Sequence, residues 1–234
     1  MDYLPLELID EIIVKTDLST AIRLQNSYAI KKLYKPIKHT FSWAVSEGHL
    51  DIVKWLHENR TEGCTSDAMG YAAKDGNLEI VKWLHENRTE GCTKSAMDNA
   101  AEYGNLDIVK WLHENRTEGC TKLAMDYAAL NGHLDIVKWL HENRTEGCSK
   151  LAMDYAALNG HLDIVKFLHE NRTEGCIVNA MVFAAANGHL DIVKWLRENF
   201  RRKTKNQIFL IFSIFLFSRL YLNIQNTKHK HQII

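Results

Sequence analysis

Five histidines and five cysteines recur in this chain at one fixed interval of 28 residues: His57, His85, His113, His141 and His169, and Cys64, Cys92, Cys120, Cys148 and Cys176. These side chains can hold zinc, carry protons or act as nucleophiles. Their spacing argues against all three roles. One candidate per interval makes a ladder, whereas a metal site needs several ligands converging on one point. Each histidine opens His-Glu-Asn-Arg-Thr, which lacks the second histidine of a zinc-binding helix. The cysteine count is odd and unpaired in spacing, which fits neither a disulfide framework nor a zinc pattern. No glycine-rich phosphate loop and no Ser/His/Asp constellation stands out. We therefore expect no catalytic residue, no metal and no cofactor. The cysteines read as small buried apolar residues at a junction between units. Asn-Arg-Thr also recurs, from Asn59 to Asn171, as a formal glycosylation acceptor. The opening Met1-Asp2-Tyr3 carries no basic leader, so a reducing, cytoplasmic setting is expected, with unmodified loops.

What positions these residues is a tandem repeat. A 28-residue block starts at Gly104, with close copies at Gly48, Gly76, Gly132 and Gly160, and a partial copy runs from Gly188 to Phe200. A constant period means a stack of small units that presents an extended surface. In the copy from Gly132, Ile136, Val137 and Leu140 share one helical face, with Trp139 at its edge. Asp135 lies near the positive end of that helix. Arg144-Thr145-Glu146-Gly147 breaks it. Ser149, threonine in three other copies, is placed to cap a second helix over roughly 150–158. Ala152, Met153, Ala156 and Ala157 give that helix a small-residue face for close approach. Asn159-Gly160 ends it. Neither helix can bury its apolar face alone, so stacking must supply the core.

Ala156-Ala157-Leu158-Asn159-Gly160-His161-Leu162-Asp163-Ile164-Val165-Lys166-Phe167-Leu168 resembles the A-A-x-x-G-H-L-E-I-V-x-x-L-L stretch of the ankyrin repeat. The resemblance recurs through residues 40–200. It implies an all-α, ankyrin-type helix–turn–helix solenoid. Two departures stand out. Leu123-Ala124-Met125-Asp126 replaces the family's T-P-L-H, whose usual hydrogen-bond network is then not expected. The unit is also shorter than the family's length of about 33 residues. The missing residues fall between Glu142 and Ser149, so reduced or absent β-hairpin fingers are expected.

The copies differ mainly on the second helix. Asp67, Gly70, Tyr71 and Lys74 correspond to Ser95, Asp98, Asn99 and Glu102, then to Leu123, Asp126, Tyr127 and Leu130, then to Leu151, Asp154, Tyr155 and Leu158. The spacing i, i+3, i+4, i+7 puts each set on one face. In the ankyrin resemblance this face lines the concave surface that meets a protein partner. The expected contacts are Tyr71, Lys74, Asn99, Glu102, Tyr127, Leu130, Tyr155, Leu158 and Phe183, centred on the tyrosines and leucines. The cysteine and loop positions read as structural bystanders. Residues 1–200 hold 22 basic against 29 acidic side chains. That acidic body argues against a nucleic-acid partner.

Residues 1–37 break the period. Leu4, Pro5, Glu7, Leu8 and Ile12, with Asp17-Leu18 and Lys32-Leu33-Tyr34, resemble an F-box. That resemblance implies that Leu4, Pro5, Leu8 and Ile12 dock the adaptor subunit of a cullin-type ubiquitin ligase, with the repeats at 38–200 recruiting the substrate. The other reading of 1–37 is an N-terminal cap on the first repeat, leaving a plain interaction scaffold. Residues 201–234 carry seven basic and no acidic side chains around the apolar run 208–217. Three readings stay open: an unselected tail from frame slippage or read-through, a membrane anchor through 208–224, and a cap over the last repeat. Arg219 interrupts the run, and its length falls short of the about 20 residues a span needs, so a membrane role is the less favoured partner.

Overall fold

The computed structural model describes residues 40–59, 65–174 and 177–203. Leu4, Pro5, Leu8 and Ile12, like the run 208–224, Cys64 and Cys176, lie outside them. Among the described residues there are twelve α-helices and no strand. They alternate in pairs. The first members are α1 (Thr40–Ser46), α3 (Ala68–Lys74), α5 (Ser95–Glu102), α7 (Lys122–Leu130), α9 (Leu151–Leu158) and α11 (Ile177–Ala186). The second members are α2 (Leu50–Asn59), α4 (Leu78–Asn87), α6 (Leu106–Asn115), α8 (Leu134–Asn143), α10 (Leu162–Asn171) and α12 (Leu190–Lys203). The helices form two compact units, residues 1–96 and 97–234, divided inside α5.

In the first unit, α1 packs on α2 and α3, and α3 packs on α4. Ala44, Val45, Ile52, Val53, Ala72, Ala73 and Val81 are sealed from solvent there. Phe41 lies beneath the Arg88 guanidinium at 5.7 Å.

In the second unit, α7, α9 and α11 stack through alanines: Ala124, Ala128 and Ala129 of α7, Ala152, Ala156 and Ala157 of α9, Ala180 and Ala184 of α11. Side chains this small let three short helices pack closely, and Met125, Met153 and Met181 fill the remaining gaps. Ile136, Val137 and Leu140 of α8 are buried, as their spacing predicts, as are Ile164, Val165 and Leu168 of α10. Each such side chain contributes about 1.5–3 kcal/mol by leaving water.

The turn inside each pair is a tight glycine cap. The Asn159 amide donates to Tyr155 O at 3.2 Å and the His161 amide to Ala156 O at 2.9 Å. Gly160 adopts φ 84° between them. Two fully described connections from one pair to the next are short and hold no hairpin: residues 116–121 and 144–150 carry α6 into α7 and α8 into α9.

Candidate protein-binding face

Of the tyrosine positions expected to meet a partner, Tyr71 is exposed in the first unit, and Tyr127 and Tyr155 are half-buried in the second. Tyr127 of α7 and Tyr155 of α9 stack with ring centroids 6.4 Å apart and planes tilted by 14°. One turn earlier on the same helices, Leu123 and Leu151 are 42% and 43% exposed. Phe183 of α11, the next copy of the tyrosine position, is 40% exposed. Leu130 and Leu158 are half-buried at the helix ends, as are Asn99 and Glu102 on α5. In the first unit Tyr71 is exposed and Lys74 half-buried on α3. The strip of the second unit is thus an aromatic row flanked by leucines, presented on helices whose opposite sides are packed.

One position of the proposed face does not belong to it. Asp98, Asp126 and Asp154 are buried, Asp126 to 1% exposure. The Ser149 amide donates to Asp126 Oδ1 at 2.8 Å and the Ser149 hydroxyl to Oδ2 at 2.6 Å. Thr121 does the same for Asp98, both bonds at 2.8 Å. The same Thr121 Oγ1 accepts the Leu123 amide at 3.1 Å and caps α7. Asp98 and Asp126 therefore each tie their helix to the entry of the next stacked one, 23 residues on. Gly70 is buried at the equivalent place in the first unit. These four are corrections to the sequence-derived face, because helical spacing alone cannot see a neighbouring repeat that covers one edge. Burial raises the carboxyl pKa of Asp98 and Asp126, and the hydroxyl and amide donors work against that rise.

The helix ends carry a second set of links. Asn131 Nδ2 donates to Glu102 O at 2.9 Å, and Asn159 Nδ2 to Leu130 O at 2.8 Å. His133, His161 and His189 bring Nε2 to within 3.1, 3.1 and 3.0 Å of Glu102 O, Leu130 O and Leu158 O. A carbonyl accepts, so Nε2 carries the proton in each. These imidazoles press on the preceding glycine. A Cβ on Gly132, at φ 83°, would meet His161 Cε1 at 2.7 Å.

The loops are not bystanders either. Arg144 Nη1 donates to His113 Nδ1 at 3.2 Å, and Arg144 also pairs with Glu146, Nε to Oε2 at 3.2 Å. Arg88 holds His57 at 3.0 Å and pairs with Glu90 in the first unit. Desolvation opposes ionisation of Glu146, but the Arg144 guanidinium and the loop amides overcome it and bring the pKa to about 2. His113 meets Trp139 edge-on at 5.2 Å, and His169 meets Trp195 likewise. His113 and His169 thus tie α6 to α8 and α10 to α12. Cys120 and Cys148 are buried, as expected, and desolvation with the nearby Glu146 or Glu174 raises their thiols to about 11. Among the described residues, no three His, Cys, Asp or Glu side chains are grouped to hold a metal ion. The sequence did contain a signal for the carboxylate links. Aspartate stands at 98 and 126, and a hydroxyl residue stands 23 positions after each.

Comparison with known proteins agrees with this architecture. No curated protein matches the chain. Among solved structures, the human ASB11 ankyrin repeat domain superposes with a TM-score of 0.53 at 18% identity, covering 68% of this chain and 82% of that one. That likeness concerns the fold alone. A family model of ankyrin repeats (3 copies) matches residues 41–126, 97–179 and 125–207. With most of its length so matched and its helix pairs stacked as described, the chain belongs to the ankyrin repeat family, whose fold serves protein–protein interaction.

Proposed function

We propose that this protein is a non-enzymatic, cytoplasmic recruiting subunit. Its repeat face captures a protein, and residues 1–37 deliver that protein to the adaptor of a cullin-type ubiquitin ligase. One observation supports the capture step. Leu123, Leu151 and Phe183 are exposed, and the half-buried Tyr127 and Tyr155 stack on each other on the same helices as the two leucines. Aromatic anchors of this kind supply most of the binding energy at protein interfaces. Tyr71 and Lys74 extend the set in the first unit, and Asn99 and Glu102 in the second. Delivery rests on the F-box resemblance of Leu4, Pro5, Leu8 and Ile12. The chemistry is proximity: the chain supplies no catalytic group and takes no cofactor.

Two variants separate the steps. Replacing Tyr127, Leu130, Tyr155 and Leu158 by alanine is expected to lose the captured protein in affinity purification while leaving the helical circular dichroism intact. Unchanged capture removes this face from the proposal. Pro5→Ala with Leu8→Asp is expected to lose the ligase adaptor and keep the captured protein. Equal adaptor yield from both chains, or none from either, leaves a plain ankyrin scaffold without a ubiquitin role.

A further inference from the structure

The sixth helix pair ends the described residues, and its far side departs from the rule the earlier pairs obey. Position 126 of α7 and its copy 154 of α9 are aspartates, buried to 1% and 4% exposure under the pair that follows. Their copy on α11 is Val182, and it is 39% exposed. Leu134 and Leu162, which open α8 and α10, are half-buried; their copy Leu190 opens α12 at 67% exposure. The imidazole of the next pair covers Gly132 and Gly160, whereas a Cβ on Gly188 would meet nothing within 4 Å. Val182, Leu190 and Gly188 thus outline an apolar end face. Where the polar link to a next repeat would sit, the chain has a branched hydrocarbon instead.

We propose that this face is covered by the chain's own apolar segment, residues 208–224. Three observations favour that occupant. Ala180, the first buried residue of α11, has its 28-residue copy at Ile208, so the apolar run starts where the next stacked helix would start. The run puts Ile208 and Phe212 where the stacking alanines 180 and 184 have their copies, too large for another regular repeat but suited to an apolar cover. The reach also fits. Only residues 204–207 separate Lys203 from the run, and about 17 residues returning as a helix would extend about 25 Å, enough to pass along α12. Terminal repeats of a stack need such a cover, since nothing else removes their apolar side from water.

The test compares the full chain with a chain ending at Lys203, each with and without Val182→Asp. In the full chain the substitution is expected to lower the melting temperature by about 3–6 °C, because it places a carboxylate under the cover. In the shortened chain it is expected to be neutral or stabilising. An equal shift at both lengths overturns the proposal. If the shortened chain does not fold, Phe209→Ser with Phe212→Ser in the full chain takes its place. It is expected to speed amide exchange across residues 182–193 by about tenfold, with residues 124–129 unchanged. Unchanged exchange at 182–193 overturns the proposal. Two results place other occupants there and overturn it as well: flotation of the full chain, but not the shortened one, with phosphatidylcholine vesicles, and protection that grows with protein concentration.

Discussion

The α7/α9 seam and the α9/α11 seam share α9 and the same stacked alanines but differ at the residue 23 positions beyond the buried aspartate. At the first, Ser149 gives Asp126 both its amide and its hydroxyl. At the second, the corresponding residue is Ile177, which has no hydroxyl to give. Asp154 is as buried as its copy, yet its Oδ1 has no hydrogen-bond partner, and Asn179 alone acts on the carboxylate from α11. Desolvation raises its pKa. The comparison teaches that the aspartate is stabilising only as half of a pair. Where the hydroxyl partner is lost, the same residue becomes a buried carboxylate with one oxygen unpartnered, its desolvation opposed only by Asn179 and Lys150. At 182, one repeat later, the chain has dropped the carboxylate altogether.

The largest expected effect breaks this comparison by making the substitution the chain itself carries at 182. Asp126→Val strands the Ser149 amide and hydroxyl and is expected to cost about 2–4 kcal/mol, the range for orphaned buried donors plus a lost cap tie. Asp154→Val removes an under-satisfied buried carboxylate and is expected to be neutral or to stabilise by about 1 kcal/mol. Urea unfolding of the two variants measures the difference. If both destabilise alike, the two seams are equivalent and the pairing account fails.

The glycine turns sharpen the comparison from another side. Gly132→Ala forces a side chain into a positive-φ position and against the His161 ring, at an expected cost of about 2–3 kcal/mol. Gly188 has φ 79° but no histidine ring over it, and a Cβ there would meet nothing within 4 Å. Gly188→Ala therefore carries only the backbone strain, about 1 kcal/mol. Melting temperatures should rank the wild type highest, then the 188 variant, then the 132 variant. Equal losses would mean that the histidine does not press on the turn.

Much of this fold was legible in the sequence, for reasons that lie within single helices. Ile136, Val137 and Leu140 announce a buried stripe by their spacing, and Asn159-Gly160 announces the turn that follows. Tyr127 and Tyr155 were readable as surface positions for the same reason. Asp126 was not. Helical spacing puts it beside Tyr127 on one face, and only the placement of the next loop decides that one is roofed over and the other left out. The roles of Arg144, His113 and His161 were hidden in the same way. Arg144 and His113, like His161 and Leu130, stand 31 positions apart, roughly one repeat, so the constant period that revealed the stack also made every link look like a neutral copy.

The smallest effect lies in the loops and has a defined pH window. Glu146 falls to about 2 from an ordinary 4.5, because Arg144 and the loop amides outweigh its desolvation. A depressed carboxyl stabilises the fold above its unfolded pKa and loses that contribution as pH falls through the folded one. Glu146→Gln is therefore expected to cost about 1–2 kcal/mol at pH 7, allowing for partial solvent screening of the pair. The gap to wild type should close between about pH 4.5 and pH 2. Asp154 has the opposite sign. Its raised pKa means that the folded chain takes up the proton first, so that site gains stability as pH falls towards the ordinary carboxyl range. Asp154→Asn should remove the gain while leaving the loss from Glu146 in place. Unfolding free energies of the wild type, Glu146→Gln and Asp154→Asn from pH 7 to pH 2 should then show two curves departing from wild type in opposite directions. Parallel curves would mean that the loop ion pair and the buried seam carboxylate do not differ in the way their surroundings require.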